Sequence, residues 1–214
     1  MERSPSFRVR IRGPMACFTR PEFKAERVSY EVITPSAARG ILEAVLWKPA
    51  IRWIVESIEV LAPIQFTSFK RNEVNDRATR PREYFADDKD NRAQRHTLAL
   101  RDVDYVIVAY FEMTKNAGEA DNVNKFIDMF SRRLVKGQHF HQPYLGCREF
   151  AADVLPADGA PNPFALTKSL GLMLYDLAFT PGGNGAAKPF FFSAYMQEGR
   201  VGIPHPQSIF QGGG

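Results

Sequence analysis

The sequence is short of cysteine, of histidine and of unbroken apolar runs, and each shortage closes off a class of protein. Cys17 and Cys147 are the two cysteines in 214 residues, and neither stands in a Cys-x-x-Cys or Cys/His spacing that would grip zinc. Both are expected to be reduced thiols packed in the interior, which excludes a disulfide scaffold. Four histidines, His96, His139, His141 and His205, leave few side chains that exchange a proton near neutral pH. Neither a metal nor a cofactor is expected. No stretch approaches the roughly 20 apolar residues that span a bilayer, and the opening MERSPSFRVRIRG has no apolar leader core, so a cytoplasmic protein without a membrane partner is expected. Gly182-Gly183-Asn184-Gly185 lacks the strand-to-helix setting and lysine of a phosphate loop.

What is present is a chain with 44% hydrophobic residues, enough for one substantial core, or for a main domain with a smaller lobe. Lys and Arg exceed Asp and Glu by 28 to 24, a net charge of +4. That excess permits a polyanion partner without requiring one, so the positions of the charges decide.

Ser29 to Trp53 organises the rest. Thr34 can cap a helix that opens on Pro35, where a missing N–H costs nothing, and Ala37, Ala38, Ile41, Leu42 and Val45 recur at helical spacing until Pro49 forbids continuation. Phe7, Val9 and Ile11 alternate with Arg8, Arg10 and Arg12, giving a strand with one apolar and one cationic face. Three arginines on one face repel unless carboxylates or phosphates lie there, and both readings are open. In the loop after this strand, Phe18, Arg20, Phe23, Lys24 and Arg27 interleave aromatics with cations, as suits stacked bases and phosphates.

Ile51 to Leu61 reads as a strand whose apolar phase slips between Val55 and Ile58, predicting a bulge. Residues 62–101 are dense in both charges and without strong periodicity, so a functional or mobile loop is expected, with Arg77, Arg80, Arg82, Arg92 and Arg95 as its possible phosphate contacts. Val103 to Glu112 is apolar on nearly both faces and should be a central strand. Val123, Phe126, Ile127, Phe130 and Leu134 then mark a helix with Lys125, Arg132 and Arg133 off its buried stripe, closed by Gly137. The loop 137–143 carries His139 and His141, and Tyr144 to Phe150 is expected to be extended. Strand, helix, strand, strand, helix, strand is a ferredoxin-like order in an α+β fold. Residues 1–150 would form that domain, with its large insertion at about 62–101. Residues 151–214 would form a small antiparallel β lobe with extended pieces at 170–179 and 190–196 and a turn at Glu198-Gly199.

The runs ACFTRPEFKAERVSYEVITPSAARGILEAVLWKPAIRWIVE, YVIVAYFE and YLGCREF closely resemble the CRISPR-associated Cas-five family in its type I-C (Dvulg) branch, over about residues 7–200. The resemblance implies an elaborated ferredoxin-like RNA-recognition domain with a smaller β lobe. It also implies a protein that cuts the precursor CRISPR transcript within each repeat without a metal, then remains on the 5′ handle as a subunit of the surveillance complex.

Such cleavage uses the neighbouring 2′-hydroxyl as nucleophile, so it needs a base, a cation for the phosphorane and an acid for the leaving oxygen. The family places an aromatic or histidine just before Trp-Lys-Pro and a Lys-His pair at the second helix. Here those positions hold Leu46 and Lys125-Phe126, of which only Lys125 can serve. The catalytic candidates are therefore Lys125, His139 and His141, with Tyr30, Tyr144 and Lys136 behind them. His96 could reach the site only by loop closure, and His205 lies in the tail. The RNA-binding candidates are Arg8, Arg10, Arg12, Phe18, Arg20, Lys24, Arg27, Lys48, Arg132 and Arg133. The other function class is a non-catalytic subunit that clamps CRISPR repeat RNA and neighbouring subunits. Salt-sensitive duplex DNA binding would accompany either.

Overall fold

The computed structural model describes residues 2–23, 25–75, 85, 89, 91–179 and 187–210. Lys24, Arg77, Arg80, Arg82 and the 182–185 glycine cluster lie outside these residues.

The chain folds as β1 (Phe7–Ala16), β2 (Arg27–Val28), α1 (Pro35–Val45), β3 (Ile51–Val60), β4 (Phe66–Val74), β5 (Arg92–Met113), α2 (Val123–Val135), β6 (Asp153–Pro156), β7 (Lys168–Phe179), β8 (Ala187–Gln197), β9 (Arg200–Gly202) and α3 (Pro206–Phe210). One sheet runs β6-β1-β5-β3-β9-β8-β7, with β2 and β4 also pairing with β5. Its strands are antiparallel except for the short β2 beside β5. This is a mixed α/β architecture dominated by a large antiparallel sheet.

Both main helices begin and end where local chemistry directs. The Thr34 hydroxyl accepts from Ala37 N–H and Pro35 takes the first helical position, where it gives up no bond. Asn122 caps α2 by accepting from Lys125 N–H. At the far end Gly137, at φ +62°, donates to the Leu134 carbonyl while Gln138 donates to Arg133, the paired closure that a left-handed residue makes possible. The predicted bulge in β3 is present, as its register against β5 shifts between Val55 and Ser57. Glu198 and Gly199, both at positive φ, turn β8 into β9.

Two expectations are corrected. Residues 62–101 are not one long loop. Phe66–Val74 pairs with the first half of β5 from Phe66↔Leu100 to Val74↔Arg92, a two-stranded arm in which no β4 residue is buried, so neither face shows an apolar alternation to read. Residues 144–150 form a turn-bearing loop with a single bridge, Tyr144↔Ala151, and the strand comes later, at β6. Gly146 explains the tight course: at φ +84° it lies so close to Cys17 that a Cβ would sit 2.1 Å from the Cys17 carbonyl oxygen.

The core lies between the sheet and the helices. Phe7, Trp53, Phe111, Phe126 and Phe130 interlock, with ring centroids 4.6 Å apart for Trp53–Phe130 and 4.9 Å for Phe7–Phe130, offset geometries that aromatic quadrupoles favour. Phe126 and Leu46 are both buried. The structural role of Phe126, expected from its place on the helix stripe, is the one it fills. The sheet continues past β3 into β9, β8 and β7 through Ser57↔Gly202 and Ile58↔Val201, and Tyr30 fastens the far strands by accepting from Leu174 N–H at 3.2 Å.

Candidate functional site

The C-terminal end of α1 is the meeting point of the exposed functional side chains. A helix leaves its last carbonyls unpaired, and here other elements supply the donors. Ala44 O accepts from Phe140 N–H at 2.7 Å, Val45 O from Arg133 Nη1 at 2.7 Å and Leu46 O from Trp53 Nε1 at 3.0 Å. These bonds draw α2 and the 137–143 loop over the end of α1.

That loop puts His139 at the wall of a cavity of about 240 Å³, together with Arg133, Gln138, Gln142 and Asp153. A proton-carrying ring, a guanidinium and two amides thus converge on one solvent-open hollow. His141 does not line it. Its ring lies edge-on to Phe140, with centroids 5.3 Å apart, on the side facing Glu43. Burial pushes the Glu43 carboxyl up, while Arg39 and then His141 act in the opposite direction.

Lys125 stands elsewhere. It occupies the first turn of α2, and its Nζ donates to Asp121 Oδ1 at 2.8 Å. This hydrogen bond and one from Gly118 N–H hold the Asp121 carboxyl below its usual range, with Lys48 adding to the effect. Ten residues of helix separate Lys125 from Val135, about 15 Å along the axis. The structure therefore gathers His139 with Arg133, and Lys125 with Lys48, but does not bring the two sets to one point.

The other expected RNA contacts divide sharply. Arg8 makes two bonds to Glu59, at 3.0 and 2.8 Å, Arg10 makes two to Asp104, at 3.0 and 2.6 Å, and Arg12 reaches Asp153 at 3.4 Å. Hydrogen bonding to Glu59 and to Asp104 raises the two guanidiniums further. The carboxylate reading of the arginine face is the one the geometry bears out. Phe18 is 3% exposed and packs edge-on to Tyr105, so little of its ring reaches solvent. Arg20 lies over the Tyr30 ring, 4.4 Å from its centroid, and 3.8 Å from Glu22. Arg27 donates to Cys147 Sγ at 3.0 Å and lies 3.6 Å from Glu149. Hydrogen bonding with Cys17 and then the charge of Arg27 pull the Cys147 thiol down to about 6 against the cost of burial. Cys17 and Cys147 are free and buried, as expected.

Arg132, Arg148, Lys48 and Lys136 are exposed, and among the described residues no carboxylate pairs with them. Three exposed rings that the sequence reading did not assign to RNA are Trp47 at 56%, Phe140 at 72% and Tyr144 at 38%, Trp47 next to Lys48 in the chain and the other two each four residues from Lys136 or Arg148. The usable signal was position, since Trp47 follows the buried residue Leu46 that caps α1 and Phe140 falls after the helix-closing glycine. Of the remaining candidates, Tyr30 is buried, His96 pairs across the β4–β5 arm with Lys70, and His205 lies 3.9 Å from Glu112. Among the described residues no cluster of three His, Cys, Asp or Glu side chains could hold a metal ion, and no helix is long and apolar enough to cross a membrane.

A large antiparallel sheet with two main helices, and with cations and rings exposed around one helix end, is an arrangement able to hold single-stranded nucleic acid. The family described as CRISPR-associated protein (Cas_Cas5), in its Cas5d form, matches residues 6–197, and the chain belongs to it. It is 44% identical to the CRISPR pre-crRNA endoribonuclease Cas5d of Mannheimia succiniciproducens, over 92% of this chain and 94% of that protein. A crystal structure of a CRISPR-associated protein superposes with a TM-score of 0.73 at 24% identity, covering 98% and 96% of the two chains. A chain of a CRISPR RNA-guided surveillance complex does so at 0.52 and 13%, covering 94% and 90%. These two likenesses concern the fold.

Proposed function

We propose that this protein is an endoribonuclease that cuts precursor CRISPR RNA within the repeat and then stays on the product as a subunit of the type I-C surveillance complex. The observation that carries the reading is the near full-length match, at 44% identity, to a protein named for that activity. The surroundings of α1 support it: exposed rings for stacking, unpaired cations for phosphates and a histidine in a solvent-open cavity are what single-stranded RNA chemistry requires.

The domain holding the site is ferredoxin-like. Its supporting observation is the spatial order β6-β1-β5-β3, in which the fourth strand of the motif lies beside the first and the third beside the second. The smaller lobe is then β7 to β9, and β6, which pairs with β1, belongs to the first part.

In the chemistry, His139 takes the proton of the attacking 2′-hydroxyl, and Arg133 beside it stabilises charge on the phosphorane. His141, on the far side of the same loop, is the second proton carrier and donates to the leaving 5′-oxygen once the substrate is seated. Lys125 and Lys48 hold a neighbouring phosphate of the strand. Arg132 and Arg20 contribute phosphate contacts at the margins. Arg8, Arg10, Arg12 and Arg27 engage RNA only by giving up the partners they now have. Weak, salt-sensitive binding of duplex DNA follows from the unpaired cations.

The test is incubation with cognate repeat RNA in EDTA, beside a copy carrying a 2′-deoxy substitution at the cut nucleotide. Cutting of the first alone is expected. Cutting of both, or a strict metal requirement, contradicts the mechanism. Tight binding without any cutting would instead support a non-catalytic handle clamp, the reading favoured by Leu46 and Phe126, whose buried apolar side chains cannot exchange protons.

A further inference from the structure

The loop that puts His139 into one cavity puts Tyr144 at the edge of another. This second hollow, of about 380 Å³, lies between α1 and the loop and is lined by Phe18, Thr19, Gly40, Ala44, Tyr144 and Leu177, among others. It is not part of the proton-transfer site, and no side chain among the described residues fills it. Its walls are mostly apolar, with the hydroxyls of Thr19 and Ser36 among them.

Gly40 is the unusual member. It stands inside an eleven-residue helix, where glycine is about 1 kcal/mol worse than alanine. Elsewhere in this chain a glycine is demanded by its neighbours, as at Gly146, but a Cβ placed on Gly40 meets no atom within 4 Å. The described residues give no reason for leaving that side chain out. A reason exists if something from outside lies flat against the helix there.

We infer that this cavity receives one unpaired nucleobase of the substrate RNA, stacked on the Tyr144 ring and brought against the α1 backbone at Gly40. The inference rests on the endoribonuclease reading above and adds to it a determinant of sequence recognition. The occupant follows from size and charge. The volume of about 380 Å³ is at the small end of the range for compact ligands, roughly 300–1,000 Å³, and a solvent-open hollow of that size takes a planar ring rather than a helix of a partner protein. Aromatic rings take splayed-out bases by stacking, while nearby polar groups read their edges. Arg20 follows the lining residue Thr19, and the exposed Arg148 comes two residues after the lining residue Gly146. These cations lie next to the cavity in sequence, and cations are what the phosphates flanking an inserted base require.

The experiment is an abasic scan. Each unpaired nucleotide of the cognate repeat RNA is replaced in turn by an abasic site, and binding to the full chain is measured for wild type, Gly40→Ala, Tyr144→Ala and Tyr144→Phe. One abasic position is expected to cost the wild type about tenfold in affinity. Gly40→Ala and Tyr144→Ala lose about tenfold on intact RNA and lose no more at that abasic position, Tyr144→Phe retains wild-type affinity, and Gly40→Ala melts no lower than the wild type. The inference is overturned if both alanine variants bind intact RNA as the wild type does, if every abasic RNA is affected alike, or if Gly40→Ala impairs only association with a second protein chain. A lower melting temperature for Gly40→Ala would remove the argument from the missing side chain, leaving Tyr144→Ala to decide the cavity. Failure of the wild type to bind repeat RNA at all would remove the endoribonuclease reading along with the inference, whereas a binding wild type with unaffected variants removes the inference alone.

Discussion

The outer face of β1 and the rim of α1 carry similar numbers of cations, yet the two surfaces are opposites. On β1 each arginine meets a carboxylate from another strand of the sheet, and Glu59, the partner of Arg8 two strands away, is only 3% exposed. Around α1, Lys48, Arg132, Lys136 and Arg148 stand open beside exposed rings. Counting cations along the chain ranks the strand first, but counting their partners reverses the order. An arginine already bonded to a carboxylate contributes to folding, and releasing it for a phosphate costs the bonds it leaves.

That contrast can be broken most forcefully at the chemical step. His139→Ala is expected to slow single-turnover cleavage of repeat RNA by about 10²–10⁴-fold while changing affinity little. Lys125→Ala should mainly weaken binding. The converse, with Lys125→Ala abolishing cleavage at unchanged affinity, would move the reacting phosphate to the first turn of α2.

Next in size is a stability effect on the strand. Arg8→Ala leaves Glu59 buried with only Arg200, 3.7 Å away, and is expected to cost about 2 kcal/mol in denaturant unfolding with RNA affinity of the folded protein unchanged. A loss of affinity without loss of stability would give the β1 face a binding role after all.

Arg132→Ala and Arg148→Ala should each weaken RNA binding a few-fold and lower the slope of log affinity against log salt by about 0.7, with no change in melting temperature. An unchanged slope would show that these cations do not meet phosphates.

The smallest effect concerns Arg27 and Cys147, another cation engaged within the protein. The Cys147 thiol falls from 9.0 to about 6, so its contribution to stability is complete above pH 9 and is lost as pH falls through about 6. Unfolding free energy should rise with pH across that window in the wild type, and Cys147→Ser should flatten the rise. A wild-type curve without that slope would contradict the lowered Cys147 thiol, which hydrogen bonding with Cys17 and then the charge of Arg27 produce.

Which features were legible in the sequence follows from how far apart the interacting residues are. Thr34, Pro35 and Gly137 act within one helical turn, and the bulge at Val55 shows as a phase slip within four residues, so all are readable locally. The partner of Arg10 is 94 residues away, and nothing in the alternation of β1 reveals it. The β4–β5 arm was hidden because a hairpin that buries neither face of β4 has no apolar period. Phe18 reads as an exposed stacking ring because its neighbours are cations, and its burial against Tyr105 does not show in that pattern. Phe140 and Arg133 belong to the site because they cap α1 carbonyls, a tertiary event that spacing alone cannot show.

The most direct test of the central claim is photocrosslinking of 4-thiouridine-substituted repeat RNA to the intact protein, followed by peptide mapping. The account predicts adducts in the peptides that carry Trp47 and residues 137–148. Adducts confined to β1 or to the β4–β5 arm would contradict it.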